Sequence, residues 1–123
     1  MTIKQKDSDL AALRESLHNF ATERNWGEFH TPKNLATALS VEAAELLEPF
    51  QWLATGSVAE LGTDTMSAVR LEMADVFAYL IMLADKLDVD LIEALKEKIQ
   101  INALKYPVET AFGNAKKSTD YKN

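Results

Sequence analysis

Apolar residues recur at helical spacing through most of the chain. Leu10, Leu13, Leu17, Phe20 and Ala21 give one apolar face to a first helix, capped at Asp7 or Ser8 and running to about Arg24. Asn25-Trp26-Gly27-Glu28-Phe29-His30 breaks that pattern and reads as a connector rich in aromatic residues. Thr31 followed by Pro32 supplies an N-cap and a first helical position, and Leu35, Leu39, Leu46 and Leu53 carry a second helix to about Leu53. Pro49 lies inside that span and lacks the N–H that would bond to the carbonyl of Glu45, which predicts a kink. Gly56 and Gly62 mark residues 55–64 as a loop. A third helix follows from near Thr65 to near Leu87, with Val69, Val76, Leu80, Leu83 and Leu87 in its stripe. Asp90 and Glu93 form a capping box for a fourth helix, which reaches about Lys105 before Pro107 stops it. No stretch alternates with the period of a strand, and no segment repeats. The pattern specifies an all-α, four-helix-bundle-like subunit in one domain, with a core over about residues 8–107 and flexible ends at 1–7 and 108–123.

Val76 to Ala84 departs from amphipathicity, because it is apolar on every side. Such a helix needs neighbours all round, and four short helices of one subunit do not supply them. A subunit interface is therefore expected, in a dimer or dimer of dimers. The same run is too short to span a bilayer, and the polar N-terminus has no signal-peptide core, so neither a membrane nor export is expected. With no cysteine there are no disulfides and no thiolate-bound zinc, which fits a cytoplasmic protein. A formal charge of -6 argues against stable nucleic-acid binding, which needs clustered Lys and Arg. It leaves open a nucleotide whose phosphates arrive with a cation.

The charges within the stripes carry the chemistry. Glu42 falls in phase with the leucines of the second helix, and Glu45 lies one turn on. Glu72 falls in phase with the stripe of the third helix, and Asp75 lies one turn on. Acidic pairs at this spacing are common on solvated helix faces, but two pairs inside apolar stripes are not. Carboxylates about 5 Å apart repel by roughly 3 kcal/mol at an effective dielectric of about 20, and desolvation adds to that cost. Protons or a cation must offset it. An all-oxygen set suits a hard divalent ion, so Mg²⁺ is expected, with Mn²⁺ as a substitute. Carboxylate-bridged di-iron bundles use Glu-x-x-His pairs, and neither His18 nor His30 follows a Glu at that distance. Mg²⁺ on carboxylates serves phosphate chemistry, and no P-loop is present.

Lys98, Asn102, Lys105 and Tyr106 share one face of the fourth helix. The lysines could neutralise phosphate charge and Asn102 could donate to a phosphate oxygen, although a basic stripe near a helix C-terminus is also favoured by the helix dipole. Trp26, Phe29, Trp52 and Tyr79 form the aromatic set, in which Trp52 lies one heptad beyond Glu45 and Tyr79 one heptad beyond Glu72. These rings could stack a base or simply pack in the core. His30 could bond a base edge or sit on the surface.

The Glu42-x-x-Glu45 and Glu72-x-x-Asp75 pairs resemble the signature of the MazG-like all-α nucleoside triphosphate pyrophosphohydrolases. Trp26 to Leu35, Phe50-Gln51-Trp52, Asp75 to Leu80 and Asn102 to Val108 are similar to the dCTP pyrophosphatase branch. The resemblance covers roughly Trp26 to Val108. It implies a helical bundle that works as a dimer or dimer of dimers and requires Mg²⁺. The implied reaction converts a nucleoside triphosphate and water to the monophosphate and pyrophosphate, in removing unwanted nucleotides. It implies metal binding and catalysis by Glu42, Glu45, Glu72 and Asp75, and phosphate binding by Lys98 and Asn102, with Lys105 and Tyr106 nearby. It also implies base enclosure by His30 and Trp52, with Trp26, and a preference for dCTP-like substrates. Pro49 departs from the leucine expected there. Glu45 is the carboxylate favoured as general base, on the ground that Pro49 frees its backbone carbonyl. A relative acting on dUTP or phosphoribosyl-ATP, or a non-catalytic interaction module with an acidic face, remains open.

Overall fold

The computed structural model describes the backbone of residues 3–121 and the side chains of residues 9–121; residues 1, 2, 122 and 123, which fall in the expected flexible ends, lie outside the described residues. All regular structure among the described residues is helical. The chain forms two compact units, one up to Val89 and the other from Asp90 onward.

The first unit contains α1 (Ile3–Glu23), α2 (Pro32–Leu47), a 3₁₀ turn (Glu48–Phe50) and α3 (Val58–Lys86). α1 begins upstream of Asp7 and Ser8, so neither caps it. It ends in a Schellman turn: Asn25 adopts φ 54°, its N–H donates to the Thr22 carbonyl at 3.0 Å, and the Trp26 N–H reaches the Ala21 carbonyl at 2.9 Å. An Asn tolerates this left-handed conformation better than most residues. The second such turn closes α3, with Asp88 at φ 54° and the Val89 N–H on the Ala84 carbonyl at 2.9 Å. Thr31 caps α2 as its sequence predicts, accepting from the Asn34 N–H at 3.2 Å.

Pro49 does more than kink the second helix. The α-helix ends at Leu47 and the chain tightens into the 3₁₀ turn, well short of the expected end at Leu53. The carbonyl of Glu45 is not freed by Pro49 either, because the Glu48 N–H bonds to it instead. The ground for preferring Glu45 as general base is thereby removed. The third helix also starts earlier than Thr65. Ser57 caps it, accepting from the Glu60 N–H at 3.3 Å, and Gly62 at φ 76° and ψ 169° breaks its path after the first turn. The loop expected over residues 55–64 is thus helical from Val58 onward, apart from the break at Gly62.

The core of this unit is small. Ala21, Leu35, Leu61, Val69, Ile81 and Ala84 are its buried apolar residues, and Leu35 is the most enclosed at 1% exposure. Leu35 lines a cavity with Met82, while Glu42 meets Glu72, so α2 and α3 run antiparallel. Arg14 and His18 of α1 each approach Asp85 of α3 at 3.8 Å, on the surface. Gly56 at φ 73° lies under the Phe50 ring, where a Cβ would meet Cδ1 at 2.7 Å. Gly56→Ala is therefore expected to lower the melting temperature by about 5–10 °C in a thermal scan, from the left-handed backbone and the clash together.

The second unit holds α4 (Leu91–Lys105), α5 (Val108–Ala111) and a 3₁₀ turn (Ser118–Asp120). Asp90 caps α4, accepting from the Glu93 N–H at 3.0 Å as predicted. Residues beyond Val108 carry local structure: the Tyr106 and Tyr121 rings meet edge to face at 5.8 Å. Among the described residues no helix is long and apolar enough to cross a membrane.

Candidate active site

The antiparallel α2–α3 pair brings carboxylates from both helices to one place. Oxygens of Glu42, Glu45 and Glu72 all lie within 4.8 Å of one another. Asp75 lies outside this trio and is more exposed than its members, yet its charge still acts on Glu42. Helical phase explains the arrangement. Glu42 follows Leu35 by seven residues and Glu72 follows Val69 by three, so both enter the seam that those buried residues define.

One oxygen of Glu42 and one of Glu72 are buried with no hydrogen-bond partner. Such orphaned carboxylate oxygens are costly unless something positive binds them. Burial, a side-chain hydrogen bond to Glu45 and the negative charges of Glu45, Asp75 and Glu72 push the Glu42 carboxyl up to about 7. The three carboxylates fit a hard cation: all donors are oxygen, they converge, and two are left unsatisfied.

The aromatic residues fall in two places. Trp26 packs edge to face on Phe20 at 5.8 Å and on His30 at 6.1 Å. The Schellman turn at Asn25 creates this cluster, since it folds Trp26 back over the last turns of α1. Arg24 stacks 3.5 Å from the centre of the Phe20 ring, and the Asn34 amide ties down the Phe29 carbonyl at 2.9 Å. Trp52 lies beyond the end of α2, so the heptad relation to Glu45 does not hold, and its side chain is 88% exposed. Core packing does not account for it. Tyr79 is half-buried and Phe29 is 61% exposed.

Lys98, Asn102, Lys105 and Tyr106 belong to the second unit, on or at the end of α4, while the carboxylates belong to the first. The Asn102 carbonyl accepts from the Tyr106 N–H at 2.8 Å, which caps the helix.

The MazG-like family model matches residues 37–121, which include both acidic pairs. The chain belongs to the MazG-like family. Among curated relatives, dCTP pyrophosphatase 1 of Rattus norvegicus is 40% identical over 116 residues, and that of Homo sapiens 38% identical over 113 residues. Each alignment covers 90% of this chain but only 66% of the relative. A crystal structure of a pyrophosphatase from Archaeoglobus fulgidus superposes with a TM-score of 0.70 at 41% identity, covering 80% of this chain and 93% of that one. The resemblance to the dCTP pyrophosphatase branch therefore holds along most of the chain.

Proposed function

We propose that this MazG-like protein is a Mg²⁺-dependent nucleoside triphosphate pyrophosphohydrolase that favours dCTP-like substrates. The observation that carries the reading is the converging trio of Glu42, Glu45 and Glu72, with its two unpartnered buried oxygens. The names of the curated relatives support the substrate class. In the reaction a water oxygen bonds to the α-phosphorus while the bond to the bridging oxygen breaks, releasing pyrophosphate and a monophosphate. Glu42, Glu45 and Glu72 would hold the ion, with Asp75 beside them. When bound, Mg²⁺ supplies charge neutralisation for the phosphates and acidifies a water. A carboxylate of the cluster takes the water's proton. Lys98 and Lys105 neutralise phosphate charge, and Asn102 and Tyr106 donate hydrogen bonds to its oxygens. Trp52 stacks on the base; Trp26 and His30 lie at the opposite end of the 16-residue α2, so they reach the same base only from a second copy of the chain. The test is a panel of nucleoside triphosphates incubated with Mg²⁺ and assayed for pyrophosphate and monophosphate. Release of neither product from any of them refutes the reading.

Stacking on Trp52 gives a prediction. Trp52→Ala removes a ring that makes little contribution to the core, so the fold should persist while KM rises about tenfold or more. Unchanged KM across the panel would remove Trp52 from the base site.

The active form is a homodimer or dimer of dimers. Within the run from Val76 to Ala84, which is apolar on every side, only Ile81 and Ala84 are buried, and Phe77 remains 46% exposed. Leu71 and Met73, near the carboxylates in sequence, are 61% and 55% exposed. A second copy covering this surface would offset the cost of leaving it in water. Light scattering at micromolar concentration should give at least twice the monomer mass of 13.7 kDa. A stable monomer would overturn the assembly.

A further inference from the structure

Trp52 is a large side chain that its own fold barely touches, at 88% exposure. Its position is therefore set by its backbone, which is held from both sides. On the N-terminal side the 3₁₀ turn fixes it, with the Gln51 N–H on the Glu48 carbonyl at 3.4 Å and the Leu53 N–H on the Phe50 carbonyl at 3.0 Å. On the C-terminal side the holding group is a single carboxylate. Glu60 accepts from the Ala54 N–H at 3.0 Å, from the Thr55 N–H at 2.9 Å and from the Thr55 hydroxyl.

This is not an ordinary capping box. There, the carboxylate three residues after the cap bonds back to the cap's own N–H. Here the N–H of the cap Ser57 is taken by the Thr55 hydroxyl at 3.3 Å, and Glu60 reaches further back, into the loop. Its own place is fixed by Ser57, which accepts from its N–H, and by the buried Leu61 beside it. The hydroxyl and backbone N–H of Thr55, with further backbone donors, hold the Glu60 carboxyl below its ordinary range, which marks it as a charged acceptor at neutral pH.

We propose that Glu60 is a positioning residue that holds the Phe50–Ser57 loop so that Trp52 is presented to the base of the nucleotide. The proposal rests on the base-stacking role given to Trp52 above. Affinity for a ligand falls in proportion to the fraction of molecules whose binding loop is ordered. Loss of the charged acceptor should leave the loop ordered in only part of the population. Glu60→Gln keeps the length of the side chain and removes its charge. It should raise KM for the triphosphate about three- to tenfold, with kcat within about twofold of wild type.

The deciding experiment is a double-mutant cycle on the full chain, with fluorotryptophan NMR as a second readout. In the Trp52→Ala background, Glu60→Gln should raise KM no further, because there is no ring left to position. A role in general stability would raise KM equally in both backgrounds and would overturn the proposal. The fluorine resonance of Trp52, assigned with Trp52→Phe, should shift or broaden in Glu60→Gln while that of Trp26 stays in place. That readout needs no turnover, so it decides the positioning even if no triphosphate proves to be a substrate. Thr55→Val removes the hydroxyl that donates to Glu60 and accepts from the Ser57 N–H, leaves the Glu60 charge in place, and carries the same test if Glu60→Gln does not fold. A Trp52 resonance and KM that both stay at wild-type values overturn the proposal.

Discussion

Glu42→Gln and Glu72→Gln should each reduce pyrophosphate release by about a hundredfold or more while leaving the helices intact. Each change keeps the shape of the side chain and removes one negative charge from a seam where three carboxylates converge. These two residues are singled out because each has a buried oxygen with no partner in the protein. An amide at either position can turn its NH₂ toward the neighbouring carboxylates and relieve the repulsion. Without metal, both variants should therefore melt at the same temperature as wild type or higher. Stability and activity would move in opposite directions, as expected where charge has been concentrated for function rather than for folding. The assay is initial pyrophosphate release at saturating Mg²⁺, paired with circular dichroism melts. Near-wild-type turnover in both variants would remove the trio from catalysis.

Much of this site is legible in the chain because helical phase is a strong signal. Leu35 and Val69 predict the buried seam, and Glu42 and Glu72 share their phase, so the meeting of Glu42, Glu45 and Glu72 follows once α2 and α3 pack antiparallel. The Thr31–Pro32 and Asp90–Glu93 starts are equally direct, since each names the atoms that bond. What the pattern does not carry is the path between the helices. Apolar spacing continues through Leu46 to Leu53, and it does not reveal that Pro49 turns the chain into a 3₁₀ turn at Glu48. Gly56 and Gly62 flank a short stretch that reads as loop, although the Ser57 cap with Glu60 at its third helical position was available as a start signal. The clamp from Glu60 onto Ala54 and Thr55 depends on loop geometry that no periodicity encodes. Asp75 shows the limit of spacing within a helix. It stands one turn from Glu72, yet lies outside the trio, since a shared face does not fix where a side chain ends.

The affinity for Mg²⁺ should fall steeply below neutral pH, and Glu42 should be the reason. In the metal-free protein its carboxyl is raised from 4.5 to about 7, so it holds a proton across much of the acidic range. A cation needs the ionised form, and binding below pH 7 must displace that proton. The apparent dissociation constant should therefore rise by about tenfold for each pH unit below 7 and level off above it. Calorimetry in buffers of different ionisation enthalpy should detect close to one proton released at pH 6 and far less at pH 8. Stability follows the same linkage. A carboxyl with a raised folded pKa is favourable to folding only while protonated, so the metal-free protein should lose stability as pH climbs from about 4.5 to about 7. Bound Mg²⁺ restores that loss, and its stabilising effect should be larger at pH 8 than at pH 6. At a hundredfold excess over the dissociation constant the rise in melting temperature should be on the order of 10 °C. Glu42→Gln has no such proton to displace, and its metal affinity should be weaker and much flatter with pH. An acidic face that merely meets solvent would show neither proton release nor a thermal shift that grows with pH. A flat pH profile in the wild-type protein would separate Glu42 from the metal, whatever the outcome of the activity assays.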